Sequence, residues 1–93
     1  MDLEWDEGKR QRNIEKRGLD FADVERFEFG TAVVVPDLRV NYGETRFNTT
    51  GYLDGVLCIV CWTPRNGKFR VISLRKANAR ERKKYEADQA SDA

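Results

Sequence analysis

The chain has 93 residues, of which 40% are hydrophobic and 35% charged, and its formal net charge is +1. This length suits one small domain with a single core, and the mixture of charge signs favours folding over disorder. No apolar run approaches the roughly 18 residues of a membrane span, and the chain opens without a signal-peptide pattern. We therefore expect one cytoplasmic domain over residues 1–93, ordered from about 3 to 86 and frayed over 89–93.

The first third of the chain predicts two helices after a brief apolar strand at Leu3–Trp5. Asp6 is a suitable N-cap and Gly18 a suitable left-handed C-terminal residue, so the sequence predicts a helix over about 7–17. Apolar residues spaced by three then predict a second helix over about 21–28, with one stripe packed on the core.

From residue 31 the pattern becomes β-like, because β-branched residues, alternation and turn signals follow one another. Asp54-Gly55 is a hairpin signal, and Asn66-Gly67 marks a second tight turn. Residues 37–43 are predicted as a loop. The predicted strands cover about residues 31–35, 44–52, 56–63 and 68–75, with the last three in an antiparallel meander.

The last segment predicts a helix over about 79–88, because Asn78 and Glu81 have the spacing of a capping box. The predicted fold class is therefore α+β. We expect an antiparallel sheet of about four strands, extended by the short N-terminal strand, with two N-terminal helices and one C-terminal helix.

Cys58 and Cys61 form a C-x-x-C string inside the predicted central strand. Residues three apart on a strand point to opposite faces and lie roughly 10 Å apart, which exceeds the ~7 Å reach of a disulfide. No second cysteine pair and no histidine exist to complete a zinc site. We interpret both cysteines as small buried apolar residues, and we predict neither a metal nor a cofactor.

Charge is distributed unevenly along the chain. Residues 65–84 contain nine bases and one acid, whereas residues 1–64 have a net charge of −4 and residues 85–93 one of −3. Clustered cations gain free energy by displacing counterions from phosphates, so the pattern predicts a polyanionic partner. A solvated face that serves only solubility is the alternative.

The strongest candidate site lies where the predicted last strand meets the last helix. Strict alternation places Val71 and Arg75 on one face of that strand and Leu74 on the other. Arg75, Lys76 and Arg80 are expected to gather at the junction, beside the helix N-terminus. Arginine forks hold two phosphate oxygens at once, so this grouping predicts phosphate binding.

Three segments, in their order and spacing, resemble the BrnT toxins. Residues 3–21 are similar to that family's F-E-W-D-x-x-K and N-x-x-K-H-G-V-x-F opening. Glu44 to Gly51 is similar to E-x-R-F…G, and Arg70 to Glu86 is similar to R-I-I-S-A-R-K-A-x-x-x-E-R-x-x-Y-E. The resemblance covers about residues 3–86, nearly the whole chain.

The resemblance implies a RelE-like fold and the toxin half of a type II toxin–antitoxin pair. It implies a metal-independent endoribonuclease that blocks translation. It also implies an antitoxin of the ribbon-helix-helix type, and the toxin would contact operator DNA only through that antitoxin. The candidate catalytic residues are Arg46, Arg75, Lys76, Arg80, Glu44 and Tyr85. The candidate RNA-binding residues are Lys16, Arg17, Arg70, Arg82, Lys83 and Lys84.

The sequence departs from the family pattern in having no histidine: Arg17 and Trp62 stand where relatives often carry one. No imidazole can serve as acid or base. Attack by the 2′-hydroxyl of the RNA would then use Glu44 as the proton acceptor and Tyr85 as the donor. The structural alternatives are a strand salt bridge for Glu44, a helix anchor for Tyr85, and helix-dipole partners for Lys16 and Arg17.

Two other functional readings compete with an RNA-cleaving toxin. The first is a non-catalytic, toxin-like module that binds an antitoxin or nucleic acid, which the missing histidine favours. The second is a protein-interaction domain whose basic face binds an acidic partner segment.

Overall fold

The computed structural model describes residues 1–39 and 41–91, which form five strands, two α-helices and two short 3₁₀ segments. The elements are β1 Leu3–Trp5, α1 Glu7–Arg17, 3₁₀ segments Phe21–Arg26 and Phe29–Thr31, β2 Val33–Pro36, β3 Phe47–Leu53, β4 Val56–Arg65, β5 Lys68–Lys76 and α2 Ala79–Ser91. The sheet order is β1-β5-β4-β3-β2, with β1 parallel to β5 and the other pairs antiparallel. The α+β class is confirmed, but the sheet is mixed and has five strands, so the prediction of about four antiparallel strands was only roughly right.

The ends of both α-helices follow the predicted capping chemistry. The Asp6 carboxylate accepts from the Lys9 backbone N–H at 3.0 Å, and Gly18, at φ 68°, donates to the Ile14 carbonyl at 2.8 Å. α2 begins at the predicted capping box but continues to Ser91, so residues 89–91 are helical rather than frayed. Residues 92 and 93 of the predicted frayed end lie outside the described residues. No helix of the described ranges has the length and apolar character needed to cross a membrane.

The predicted second helix over 21–28 is only roughly right, because the chain forms a 3₁₀ helix over Phe21–Arg26 and a second 3₁₀ segment over Phe29–Thr31. After Arg26 the backbone becomes extended, and the Glu28 N–H donates to the Tyr52 carbonyl of β3 at 2.9 Å. That bond to the sheet replaces helix continuation.

Two strand starts also differ from the prediction. β2 starts at Val33 because Thr31 still belongs to a 3₁₀ segment, and β3 starts at Phe47 rather than at residue 44. The predicted loop extends to Arg46, whose carbonyl accepts from the Asp37 N–H at 2.8 Å. Residue 40 of that loop lies outside the described residues. Both predicted tight turns are confirmed, with left-handed Asp54-Gly55 and Asn66-Gly67 pairs.

The two faces of the sheet are covered unequally. One face, here called the helical face, packs against α1 and the 3₁₀ segments around a fully buried set: Phe21, Val24, Val60, Val71 and Leu74. The opposite face, here called the open face, has only a small cluster, in which Leu57, Ile59 and Ala77 meet Tyr85 of α2. Further along β4 on this face, Cys61 and Thr63 are also buried, whereas Asn48, Ser73 and Arg75 on the flanking strands are half-buried.

A β-bulge in β5 changes which residues face which way. Trp62 lies opposite Val71 and Cys61 opposite Ser73, which leaves Ile72 as an extra residue. A bulge breaks the two-residue alternation. The prediction that Phe69, Val71, Ser73 and Arg75 share a face is therefore wrong: Ser73 and Arg75 lie on the open face, and Leu74 joins Val71 in the core of the helical face.

Asn13 ties α1 to β5 just beyond the bulge. Its side-chain amide nitrogen donates to the carbonyls of Leu74 and Leu19, each at 2.9 Å, and its amide oxygen accepts from the Leu74 N–H at 3.3 Å. β1 pairs β5 only as far as Trp5 opposite Val71. β1 therefore does not reach Leu74, and Asn13 of α1 makes the two hydrogen bonds to the Leu74 backbone that a longer β1 would have made.

Gly51 is packed too closely to accept a side chain. A Cβ placed there would lie 2.8 Å from Cε1 of Phe27 and 3.0 Å from Cβ of Ala32. We expect Gly51→Ala to lower the free energy of unfolding by about 1–3 kcal/mol, because the Phe27 ring must shift within a packed core. Urea unfolding measures this. Gly30→Ala, at a position with no atom within 4 Å of the added Cβ, is the control, and equal stability of the two variants would contradict the packing argument.

Candidate functional site

A cavity of about 210 Å³ lies on the open face, between the sheet and α2. Its apolar floor comes from β2 and β4, through Val33, Val35 and Ile59, and its polar wall includes Arg75 and Lys84. Asn48, Thr50, Glu81, Tyr85 and Asp88 complete the lining. If β5 alternated strictly from Val71 onward, the Arg75 side chain would lie on the helical face. The bulge in β5 instead places it at this cavity.

Arg75 is held by a two-point ion pair. Its Nη1 and Nη2 atoms donate to the two carboxylate oxygens of Glu81 at 2.8 and 2.7 Å. The Arg75 guanidinium lowers the pKa of Glu81 to about 2, and hydrogen bonding to Glu81 raises the pKa of Arg75. Both groups are therefore charged at neutral pH, and the arginine is fixed at the cavity wall.

The predicted grouping of Arg75, Lys76 and Arg80 in one pocket is not what the structure shows. Lys76 pairs with Cys58, whose side chain belongs to the core of the helical face, so Lys76 lies on the other side of the sheet from Arg75. Arg80 lies on the outer side of α2, where it lines a separate shallow depression with Arg82 and Lys83. Of the predicted residues on or beside α2, the cavity brings together Arg75, Lys84 and Tyr85.

A second cationic cluster lies in the loop between β2 and β3. The Arg46 guanidinium stacks 3.9 Å from the centre of the Tyr42 ring, and its Nε donates to Glu44 at 2.9 Å. Arg39 makes a two-point ion pair with Asp37, whose side chain is only 1% exposed, and this holds the pKa of Asp37 well below its usual range. These contacts order the loop around charged side chains.

Electrostatics link this loop to the open face. Burial raises the pKa of the Cys61 thiol, while the positive charges of Arg46 and Arg39 oppose that rise. Arg39 also acts on Arg75, where its charge opposes the rise in pKa that Glu81 causes. Cys61 lies on the open face between Asn48 and Ser73. The row of open-face side chains around Cys61, here called the stripe, therefore has Arg75 near one end and Arg46 with Arg39 near the other.

The distance between these two ends follows from the strand register. Arg75 lies opposite Ile59, and the Thr63 hydroxyl donates to the Thr45 carbonyl, next to Arg46, at 2.6 Å. Ile59 and Thr63 are four residues apart on β4, which is roughly 13 Å along a strand. The β4 positions beside which Arg46 and Arg75 lie are therefore roughly 13 Å apart.

The structure places the remaining predicted residues as follows. Tyr85 is buried, and its hydroxyl donates to the Thr31 carbonyl at 2.8 Å, as expected of the helix-anchor alternative. Lys16 and Arg17 lie exposed in the last turn of α1 and do not line the cavity. Arg70 pairs with Glu4 at 3.4 Å, toward the loop end of the open face.

Sequence reasoning missed Arg39 and Asp88, which the structure brings to the open face or its cavity. Asp88 lies one turn after Lys84, a spacing visible in the sequence. Arg39 follows Pro36-Asp37 in a loop whose path no local pattern defines. The described part of the chain holds no group of three or more metal-ligating side chains.

The fold and site define a small α+β protein whose mixed sheet carries a cavity walled by arginine and lysine and, roughly 13 Å further along β4, a second arginine cluster. The chain belongs to the BrnT family: residues 5–81 match the family model for the ribonuclease toxin BrnT of type II toxin–antitoxin systems. No curated protein is similar enough to this chain to count as a match. The family assignment made from the sequence is confirmed, and membership implies an antitoxin partner.

Proposed function

We propose that this toxin cleaves single-stranded RNA laid across the open face, without a metal ion, and thereby blocks translation in the cytoplasm. The observation that carries the proposal is the placement of cations at both ends of one stripe of the open face: Arg75 and Lys84 at the cavity, Arg39 and Arg46 at the loop. A polyanion that spans the stripe gains contacts at each end.

The chemistry can use a nucleophile that the substrate carries. The 2′-hydroxyl of the ribose loses its proton to a carboxylate and its oxygen bonds to the adjacent phosphorus. The bond from phosphorus to the 5′-oxygen breaks and that oxygen takes a proton from water, giving a 2′,3′-cyclic phosphate and a 5′-hydroxyl. Arg75 and Lys84 would stabilise the charge that builds on the phosphate oxygens. This stabilisation is the task that a metal ion performs in other nucleases.

Proton transfer must occur at the phosphate that Arg75 holds. Glu44 is bonded to Arg46 at 2.9 Å, at the other end of the stripe, so we assign it to fixing that arginine. Asp88 lines the cavity with Arg75 and is the carboxylate we propose as proton acceptor. The Tyr85 hydroxyl is engaged with Thr31, and we assign Tyr85 to anchoring α2.

We further propose that the antitoxin, of the ribbon-helix-helix type, binds along β2 and covers the cavity mouth. β2 is an edge strand, Val34 and Val35 are 51% and 52% exposed, and Leu38 just beyond is 84% exposed. An apolar edge with no charged residue to protect it is a site for strand addition. Val35 also lines the cavity, so a segment bound there would block RNA. Operator DNA would be contacted through the antitoxin.

The test is cleavage of an end-labelled single-stranded RNA by the purified protein in excess EDTA. We expect cyclic-phosphate products, and no products from an otherwise identical strand with 2′-deoxyribose throughout. Cleavage of the deoxy strand, or a strict requirement for added magnesium, would contradict the mechanism. Growth arrest on expression in a bacterium, relieved by Arg75→Ala, tests toxicity.

A second candidate function is RNA binding without cleavage. The absence of histidine from the chain and the engaged Tyr85 hydroxyl favour it, because two of the usual proton-transfer groups are lacking. In that case the purified protein would bind RNA with a steep salt dependence and leave the strand intact.

A further inference from the structure

Glu81 is the single acidic residue within the basic stretch 65–84, and it performs two tasks at once. Its carboxylate accepts from Arg75 through both oxygens, at 2.8 and 2.7 Å. The same carboxylate accepts from the Asn78 N–H at 2.9 Å, and the Glu81 N–H donates to the Asn78 side chain at 2.8 Å. One side chain thus joins the start of α2 to the arginine of the cavity.

The Arg75–Glu81 pair leaves the other edge of the guanidinium free. Arg10, Arg26 and Arg39 each bind a carboxylate with the edge formed by Nε and Nη2. Arg75 instead uses the Nη1 and Nη2 end. Within the described chain, its Nε–H has no acceptor. That Nε–Nη2 edge carries two parallel N–H donors and can bind two oxygens of a phosphate side by side.

We propose that Glu81 is a positioning residue: it holds Arg75 by one end so that the Nε–Nη2 edge faces the cavity and binds the RNA phosphate. This inference rests on the proposed function. A rotating arginine would lose side-chain entropy on binding, whereas one already fixed by Glu81 loses less. The opposite role, in which Glu81 occupies Arg75 and must leave before phosphate binds, predicts higher activity and tighter RNA binding for Glu81→Gln.

The variants separate positioning from helix capping. Glu81→Gln keeps an oxygen that can cap Asn78 but removes the charge and the second strong acceptor for Arg75. Asn78→Ala removes the other half of the capping box and leaves the Arg75–Glu81 pair intact. We expect Glu81→Gln to lower cleavage about 10- to 100-fold, mainly through kcat, and Asn78→Ala to lower it less than threefold.

A double-mutant cycle measures whether Glu81 acts through Arg75. RNA affinity is determined by fluorescence anisotropy for the wild type, Glu81→Gln, Arg75→Ala and the double variant. We expect Glu81→Gln to weaken binding about tenfold in the wild-type background and not at all once Arg75 is absent. Equal effects in both backgrounds, higher activity of Glu81→Gln, or a loss in Asn78→Ala as large as that in Glu81→Gln would each overturn the proposal.

A third measurement does not depend on RNA cleavage. In ¹⁵N-labelled protein the Arg75 Nε–H resonance is followed while inorganic phosphate is added. We expect the resonance of the wild type to shift and saturate as phosphate is added. For Glu81→Gln we expect the dissociation constant for phosphate from the same titration to be at least several-fold higher. A protein that leaves RNA intact yet shows this difference would refute the proposed function and retain the role of Glu81, whereas identical titrations would overturn that role.

Discussion

Replacing Arg75 by alanine is expected to reduce RNA cleavage about 10²- to 10³-fold, the loss typical of removing one preorganised donor to a developing anion. Replacing the adjacent Lys76 by alanine is expected to reduce it less than threefold. The two residues are neighbours in a basic run, yet Arg75 lines the cavity and Lys76 lies across the sheet beside Cys58. Initial cleavage rates of a defined RNA at fixed ionic strength measure the difference.

The comparison has two internal controls. Both substitutions remove one positive charge, so a purely electrostatic attraction of RNA to the basic segment would make them equivalent. Thermal unfolding of the two variants checks that each is folded. A Lys76→Ala protein as inactive as Arg75→Ala would show that the open face is not the site of cleavage.

Replacing Asn13 by alanine is expected to lower the free energy of unfolding by about 2–3 kcal/mol. The change leaves the N–H and the carbonyl of Leu74, both in the buried core, without the partners that Asn13 supplies. Buried polar groups left unpaired cost about 1–3 kcal/mol. Urea unfolding at several protein concentrations measures the change.

Gln11→Ala is the matched control for this prediction, because Gln11 lies on the same helix but is exposed, and within the described residues its side chain bonds only to Glu7. We expect it to change stability by no more than about 0.5 kcal/mol. Similar losses in both variants would attribute the effect of Asn13→Ala to helix propensity rather than to the bonds with Leu74.

The local chemistry of the chain made much of the fold predictable. Asp6, Gly18 and the Asn78–Glu81 box mark helix ends through their own side chains or backbone, so their positions follow from sequence. The 3₁₀ segments do not, because their form depends on a bond from Glu28 to Tyr52 that is remote in the chain. The parallel pairing of β1 with β5 is likewise a long-range contact.

The candidate site was predictable in composition but not in arrangement. The charge count pointed to the region from Arg65 to Lys84, and the cavity takes Arg75 and Lys84 from it. The bulge at Ile72 breaks the strict alternation that was used to predict which face Arg75 lies on, and no residue type marks the bulge in the sequence. Arg75 was therefore assigned to the face of Val71, although it lies on the opposite face and lines the cavity.

The extra residue at Ile72 has a consequence for how relatives are compared. A homologous strand of the same length that paired without the bulge would turn its later side chains over, exchanging the surroundings of the residues equivalent to Arg75 and Lys76. Such a homologue would preserve the cavity only by carrying its arginine one position earlier relative to the strand start. An alignment of the two strands therefore needs a gap at this point, and matching basic residues column by column without that gap would pair side chains from opposite sides of the sheet.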